Sequence, residues 1–177
     1  KELRAMIESF RGKLTRPSKT VNIRKFNFHG GCLGCLKCAA TEKCVYKDGF
    51  DSFLRNTIQS GAAIVYAFTI KDHSMGSLFK KYDDRQFCNG HRTVTMGSPI
   101  AYLIHGKYSE EENLRMILEA RAEAGGNFLA GAAADENGEI TGEQLEERIA
   151  KTAANLDYAL DNKYAPPSNF FGVGGTK

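Results

Sequence analysis

Ala62-Ala63-Ile64-Val65-Tyr66-Ala67-Phe68-Thr69-Ile70 decides the fold of this chain. The run is apolar without alternation, so it reads as a strand buried on both faces. Such strands belong to parallel sheets covered by helices on each side. A helix is expected just before it, from about Phe50 to Gln59, and another after it, from about Met75 to Phe87. Further downstream, Ile100 to Ile104 reads as a strand closed by His105-Gly106. Ser109-x-x-Glu112 reads as a capping box opening a helix through Leu114, Ile117 and Leu118 to a stop at Gly125-Gly126. Asn127 to Ala134 reads as a strand and Asp135 to Gly142 as a turn. Thr141-x-x-Gln144 starts a last long helix, with Leu145, Ile149, Leu156 and Leu160 inward and Pro166-Pro167 ending it. Upstream, Leu3, Met6, Ile7, Phe10 and Leu14 recur at helical spacing, and Val21, Ile23, Phe26 and Phe28 mark Val21 to Phe28 as extended.

Repeated strand-helix units of this length predict an α/β fold with right-handed crossovers and a doubly wound parallel sheet. The flavodoxin-like strand order 2-1-3-4-5 is the natural candidate. The chain opens inside an amphipathic helix at Lys1 with no capping residue, and its first strand reads as a sheet edge while its second reads as a centre. The expectation is a single, N-terminally incomplete domain over 1–177, whose first central strand and adjoining turn lie upstream or in another chain. The alternative is a natural four-stranded domain whose first helix merely starts early. A cysteine-rich loop over 29–48 and a tail over 165–177 complete the organisation.

That loop carries the chemistry. Cys32, Cys35 and Cys38 follow a three-residue repeat, and Cys44 follows after five more positions. A cubane cluster takes four thiolates from one compact loop, whereas structural zinc is usually held by two separate knuckles a dozen or more residues apart. No second knuckle is present. Gly34 lets the backbone fold closely around a bulky inorganic core. A [4Fe-4S] site is the leading reading, with zinc and unligated cysteines as the alternatives. Disulfides fit poorly, because the cysteine count of five is odd and close C-x2-C pairs point to metal or redox work. The fifth, Cys88, reads as a partly buried small residue.

With 177 residues, 42% hydrophobic and 25% charged, the chain can bury one core. Its formal charge of +3 is too small, and its basic residues too scattered, to argue for nucleic acid or a membrane surface. No apolar run is long enough to span a bilayer and no signal peptide opens the chain, so a cytoplasmic protein is the simplest reading. No P-loop, H-E-x-x-H site or hydrolase triad spacing is present.

The cysteine spacing, Met75-Gly76-Ser77-Leu78-Phe79-Lys80 with Asp83-Asp84-Arg85, and the closing Phe170-Phe171-Gly172-Val173-Gly174-Gly175 together resemble the iron-sulfur flavoproteins. These are a branch of the NADPH-dependent FMN reductase group with a flavodoxin-like fold. The resemblance implies a [4Fe-4S] cluster beside FMN in a homo-oligomer, fed by NAD(P)H or a ferredoxin-like donor and drained by a small-molecule or protein acceptor. By position, the cluster ligands are Cys32, Cys35, Cys38 and Cys44. Phe68, Thr69, Ile70, Lys71, Asp72, His73, Ser74 and Met75 line the isoalloxazine, and His105-Gly106-Lys107-Tyr108 flank it. The same placement follows from the rule that open parallel sheets bind ligands outside the carboxyl ends of their strands. Two departures stand out. Thr69-Ile70-Lys71-Asp72-His73 replaces the family's usual proline and tyrosine. The turn that would hold the FMN phosphate is missing, so weak flavin binding is expected.

Individual residues also have plainer readings. His73 is equally a surface histidine, His105 reads as structural, and His29 is either a donor near the cluster or solvent-facing. Asp83-Asp84-Arg85 reads as a helix-end ion-pair group, and Tyr102 and Phe68 as core. Lys37, Lys43 and Lys47 place positive charge by the cysteines, which should raise a cluster potential. The expected function is electron transfer, with flavin handling pairs of electrons and a cluster handling single ones. A cluster-based redox sensor and a zinc-stabilised binding module are the alternatives.

Overall fold

The computed structural model describes residues 1–88 and 93–164. Its centre is a three-stranded parallel sheet in the order β1-β2-β3, formed by β1 (Ile64–Thr69), β2 (Ile100–His105) and β3 (Leu129–Ala134). The pairing register runs from Ile64 opposite Ile100 to Thr69 opposite His105. Between β2 and β3 it shifts by one at Ala130, where the ladder passes from Leu129 to Gly131. The carbonyl of this extra residue is not left orphaned, because Asn155 Nδ2 donates to it at 2.9 Å.

Two crossover helices, α4 (Ser77–Arg85) and α5 (Glu112–Ala124), link the strands in turn. One layer packs Leu114, Leu118 and Ala122 of α5 on Phe68, Tyr102 and Ile104 of the sheet. On the other face, α1 (Glu2–Lys13) contributes Met6 and Phe10, and α6 (Gly142–Asp161) contributes Ile149, Ala153 and Leu156, against Ala101, Leu103 and Ala133. Helices on both faces explain why β2 has no polar face: Ile100 to Ile104 are all buried.

The unbroken apolar run is therefore a strand of a parallel, helix-covered sheet, as its pattern predicts. Its place differs. β1 ends the sheet among the described residues, and only Phe68 of its six residues is fully buried. The expected strand over Val21 to Phe28 does not form. That stretch contains a short 3-10 turn, Ile23–Lys25, with the Asn22 side chain accepting from Arg24 N at 3.1 Å. Its apolar residues turn elsewhere: Phe26 and Phe28 pack on Phe50, with ring centroids at 5.2 and 4.9 Å. Alternation there serves an aromatic cluster, not a sheet edge.

The helix expected from Phe50 begins as α3 (Phe50–Phe53), after a short α2 (Lys37–Thr41) in the cysteine loop, and continues as a π turn through Leu54–Ile58. The Ser109 capping box also fails. Ser109 donates from its backbone N and Oγ to Glu136 Oε2, at 3.0 and 2.7 Å, and α5 starts later, at Glu112. Thr141 does precede α6, though its side chain makes no capping bond. The helix ends at Asp161, and the proline pair and glycine-rich tail lie outside the described residues.

Candidate functional site

Cys32, Cys35, Cys38 and Cys44 line one small cavity, and Cys88 lines it as well. Leu33, Leu36, Val45 and Phe87 give it an apolar rim. Two left-handed residues, Gly34 at φ 64° and Leu36 at φ 55°, curl the loop so that its thiols share a side. Cys32 and Cys35 are exposed, Cys38 and Cys44 half-buried and Cys88 buried. Burial pushes the Cys38 thiol up, assisted by the neighbouring cysteines, and it pushes Cys88 up to about 12.

The inner wall belongs to Arg85. Its side chain is 1% exposed and ion-pairs with an equally buried Asp48. The guanidinium meets that carboxylate with both ends, Nη1 to Oδ2 at 2.6 Å and Nη2 to Oδ1 at 2.8 Å. Nη2 also donates to Cys44 Sγ at 3.3 Å, and Nη1 to the Gly30 carbonyl at 3.3 Å. Its Cζ lies 4.7 Å from the Phe50 ring centroid and 4.9 Å from that of Tyr46. Asp48 in turn accepts from His29 N at 3.1 Å and Phe50 N at 3.2 Å, and the hydrogen bonds from Arg85 hold its carboxyl well below the usual carboxylate range. One buried cation thus ties both ends of the cysteine loop to α4.

Sequence reasoning missed this role. Asp83, Asp84 and Arg85 do not pair with one another: Asp84 meets Lys80, Asp83 meets Arg121, and Arg85 meets Asp48. His29 contributes its backbone to the loop while its residue as a whole is exposed. Lys37, Lys43 and Lys47 are all exposed, so solvent and salt screen them, and Arg85 is the buried charge beside a thiol. Cys88 carries a signal only in the fold, because α4 delivers it beside thiols far away in sequence.

The loops expected to hold flavin meet at the carboxyl ends of β1 and β2. Ile70 N donates to the His105 carbonyl at 2.9 Å. Lys71 and Ser74 exchange backbone bonds of 2.9 Å around Asp72 and His73, both left-handed, which makes a tight two-residue turn. His73 is 90% exposed and bonds Glu111 through Nδ1 at 2.9 Å. His105 Nδ1 bonds Asp135 Oδ2 at 2.6 Å, while Asp135 Oδ1 accepts from Gly106 N at 3.1 Å. These contacts tie His105 and Gly106 to Asp135 at the end of β3. Thr69 and Ile70 are half-buried, whereas Phe68 and Met75 belong to the core.

Gly106 is obligatory there. Its φ is 142°, and a Cβ on it would fall 2.8 Å from Ile70 Cβ. Gly106→Ala is expected to cost more than about 1 kcal/mol, measurable by urea denaturation, because a strained backbone and a close contact act together.

The nine-residue α4 separates the two regions, with Met75 and Gly76 at its start and Asp84, Arg85 and Phe87 at its end. At about 1.5 Å per residue they stand roughly 13 Å apart along the helix.

No protein-family profile matches the chain, and no curated protein is significantly similar to it. Among the described residues, no three His, Cys, Asp or Glu side chains converge as a single metal ion requires. A cubane differs from an ion in this respect, since its four irons are capped at separate corners. The thiols suit that donor chemistry. The cavity itself is small, about 30 Å³, and the stretch from Cys32 to Leu36 on one side of it is exposed.

Proposed function

We propose that this chain is an electron-transfer flavoprotein of flavodoxin-like fold, holding a [4Fe-4S] cluster on Cys32, Cys35, Cys38 and Cys44 and working with FMN at the ends of β1 and β2. The observation that carries the proposal is the shared cavity of the four loop cysteines, backed by a buried guanidinium that donates to one of their sulfurs. A bound cluster supplies one-electron chemistry and flavin supplies two-electron chemistry. Arg85 holds Cys44 and, as a fixed positive charge, favours the more negative reduced state of a neighbouring centre. Leu33, Leu36, Val45 and Phe87 border the thiols with apolar surface, while Cys32 and Cys35 stay open to solvent.

The flavin part rests on a different observation. The half-buried Thr69 and Ile70 and the tight Lys71–Ser74 turn lie beside Gly106, outside the carboxyl ends of parallel strands, where such sheets receive ligands. NAD(P)H or a ferredoxin-like donor, and a small-molecule or protein acceptor, are the partners this chemistry implies.

Iron, acid-labile sulfide, zinc and flavin per chain, measured on protein purified without oxygen, test the proposal. About four irons and four sulfides per chain are expected. One zinc without sulfide would replace the cluster reading with a structural metal.

A further inference from the structure

Three apolar side chains that line the cysteine pocket also face solvent: Leu33 is 64% exposed, Leu36 59% and Val45 38%. The same part of the chain concentrates positive charge. Between residues 24 and 47 lie Arg24, Lys25, Lys37, Lys43 and Lys47 against Glu42, a net +4 in a chain whose total is +3. Outside that segment acidic residues slightly outnumber basic ones. The next residue, Asp48, is neutralised by Arg85. All five bases are exposed, and among the described residues none has an ion-pair or side-chain hydrogen-bond partner. Bases elsewhere on the surface are paired, as Lys13 is with Glu146, Arg16 with Asp157 and Lys107 with Glu139.

The fold brings the two basic stretches together. Ile23, Phe26 and Phe28 pack against the same cluster as Cys38 and Cys44, so the 3-10 turn bearing Arg24 and Lys25 adjoins the cysteine loop. Arg85 and Phe50 close the inner side of the pocket, whereas Cys32 and Cys35 are exposed and alternate in sequence with Leu33 and Leu36. A partner that exchanges electrons here therefore approaches over the leucines and past the unpaired bases.

Weak electron-transfer encounters bury little area and rely on complementary charge to steer contact onto a small apolar centre. We infer that the exposed face of the cysteine loop is the docking surface for an acidic one-electron carrier protein. The inference rests on the electron-transfer reading above and adds the partner's charge and the side on which it binds. An anionic lipid surface would match the charge as well, but the exposed thiols among the leucines call for a partner with a redox centre.

Isothermal titration calorimetry of the full chain, purified without oxygen, tests this with an acidic plant-type [2Fe-2S] ferredoxin as probe and basic cytochrome c as its opposite. Saturable ferredoxin binding is expected at about 10 mM ionic strength. It should weaken at least about tenfold at about 150 mM, where the screening length falls from about 30 to about 8 Å. Lys37→Glu/Lys43→Glu/Lys47→Glu should also weaken it at least about tenfold. Arg4→Glu/Arg115→Glu/Lys151→Glu, at exposed positions of α1, α5 and α6, makes the same change in net charge and should alter binding less than about threefold. Arg24→Glu/Lys25→Glu lies outside the cysteine loop and should weaken binding with iron content unchanged, which guards against a loop that fails to assemble. Leu33→Ser should weaken it by the same factor at both salt concentrations, since its contribution is apolar. No saturable ferredoxin binding, equally tight cytochrome c binding, equal loss in the two triple variants, attachment to phosphatidylserine vesicles instead, or self-association removed by Leu33→Ser would each overturn the inference. Iron and sulfide counted on the same sample keep that failure apart from failure of the cluster reading.

Discussion

Arg85→Met is expected to destabilise the folded chain by about 3–5 kcal/mol, because it removes one partner of a buried ion pair and strands the other. The side chains of Arg85 and Asp48 are both 1% exposed, so solvent does not screen the loss. The guanidinium also carries the bonds to Gly30 and Cys44 and fills the space against Phe50 and Tyr46. Urea denaturation of Arg85→Met, Asp48→Asn and the double variant measures this. Coupling of at least about 1 kcal/mol is expected between the two sites; additive effects would show that the pair does not act as a unit. Acid provides an independent reading. The Asp48 carboxyl is depressed from its ordinary 3.8, so its contribution is present above that pH and lost as pH falls through the lower folded value. The native protein should lose stability below about pH 4, whereas Asp48→Asn should lose less over the same range.

The second large effect concerns metal content. Cys32→Ala, Cys35→Ala, Cys38→Ala or Cys44→Ala should each reduce iron and sulfide from about four per chain to a small residue, under anaerobic purification. Cys88→Ala should leave both unchanged, since the loop supplies a complete thiolate set and Cys88 is a buried wall residue. Equal loss in Cys88→Ala would make it a ligand and one loop cysteine a bystander. Retention in all five variants would mean that the cavity holds no cluster.

The sheet was legible because its signals are local. Ile64 to Thr69 and Ile100 to His105 are continuous apolar runs, and the helices after them end where charge or glycine appears. Phe26 and Phe28 were misread because alternation looks the same whether side chains face a sheet layer or a cluster around Phe50. The four loop cysteines announce themselves by spacing, whereas Arg85 does not: its partner Asp48 lies 37 residues away, and nothing within Asp83-Asp84-Arg85 says that its members point to three different partners.

The open margin of β1 has a signature in amide hydrogen exchange. Ile64 N and Ile70 N both donate toward β2, to the carbonyls of Pro99 and His105. Successive amides of a strand point to opposite sides, so Tyr66 and Phe68 share that protected direction while Val65, Ala67 and Thr69 face the side left without a partner strand among the described residues. Deuterium should therefore enter β1 at every second residue and leave β2 nearly untouched. Any strand that comes to lie along β1, from a second copy or from another chain, would erase that alternation and report its arrival one amide at a time.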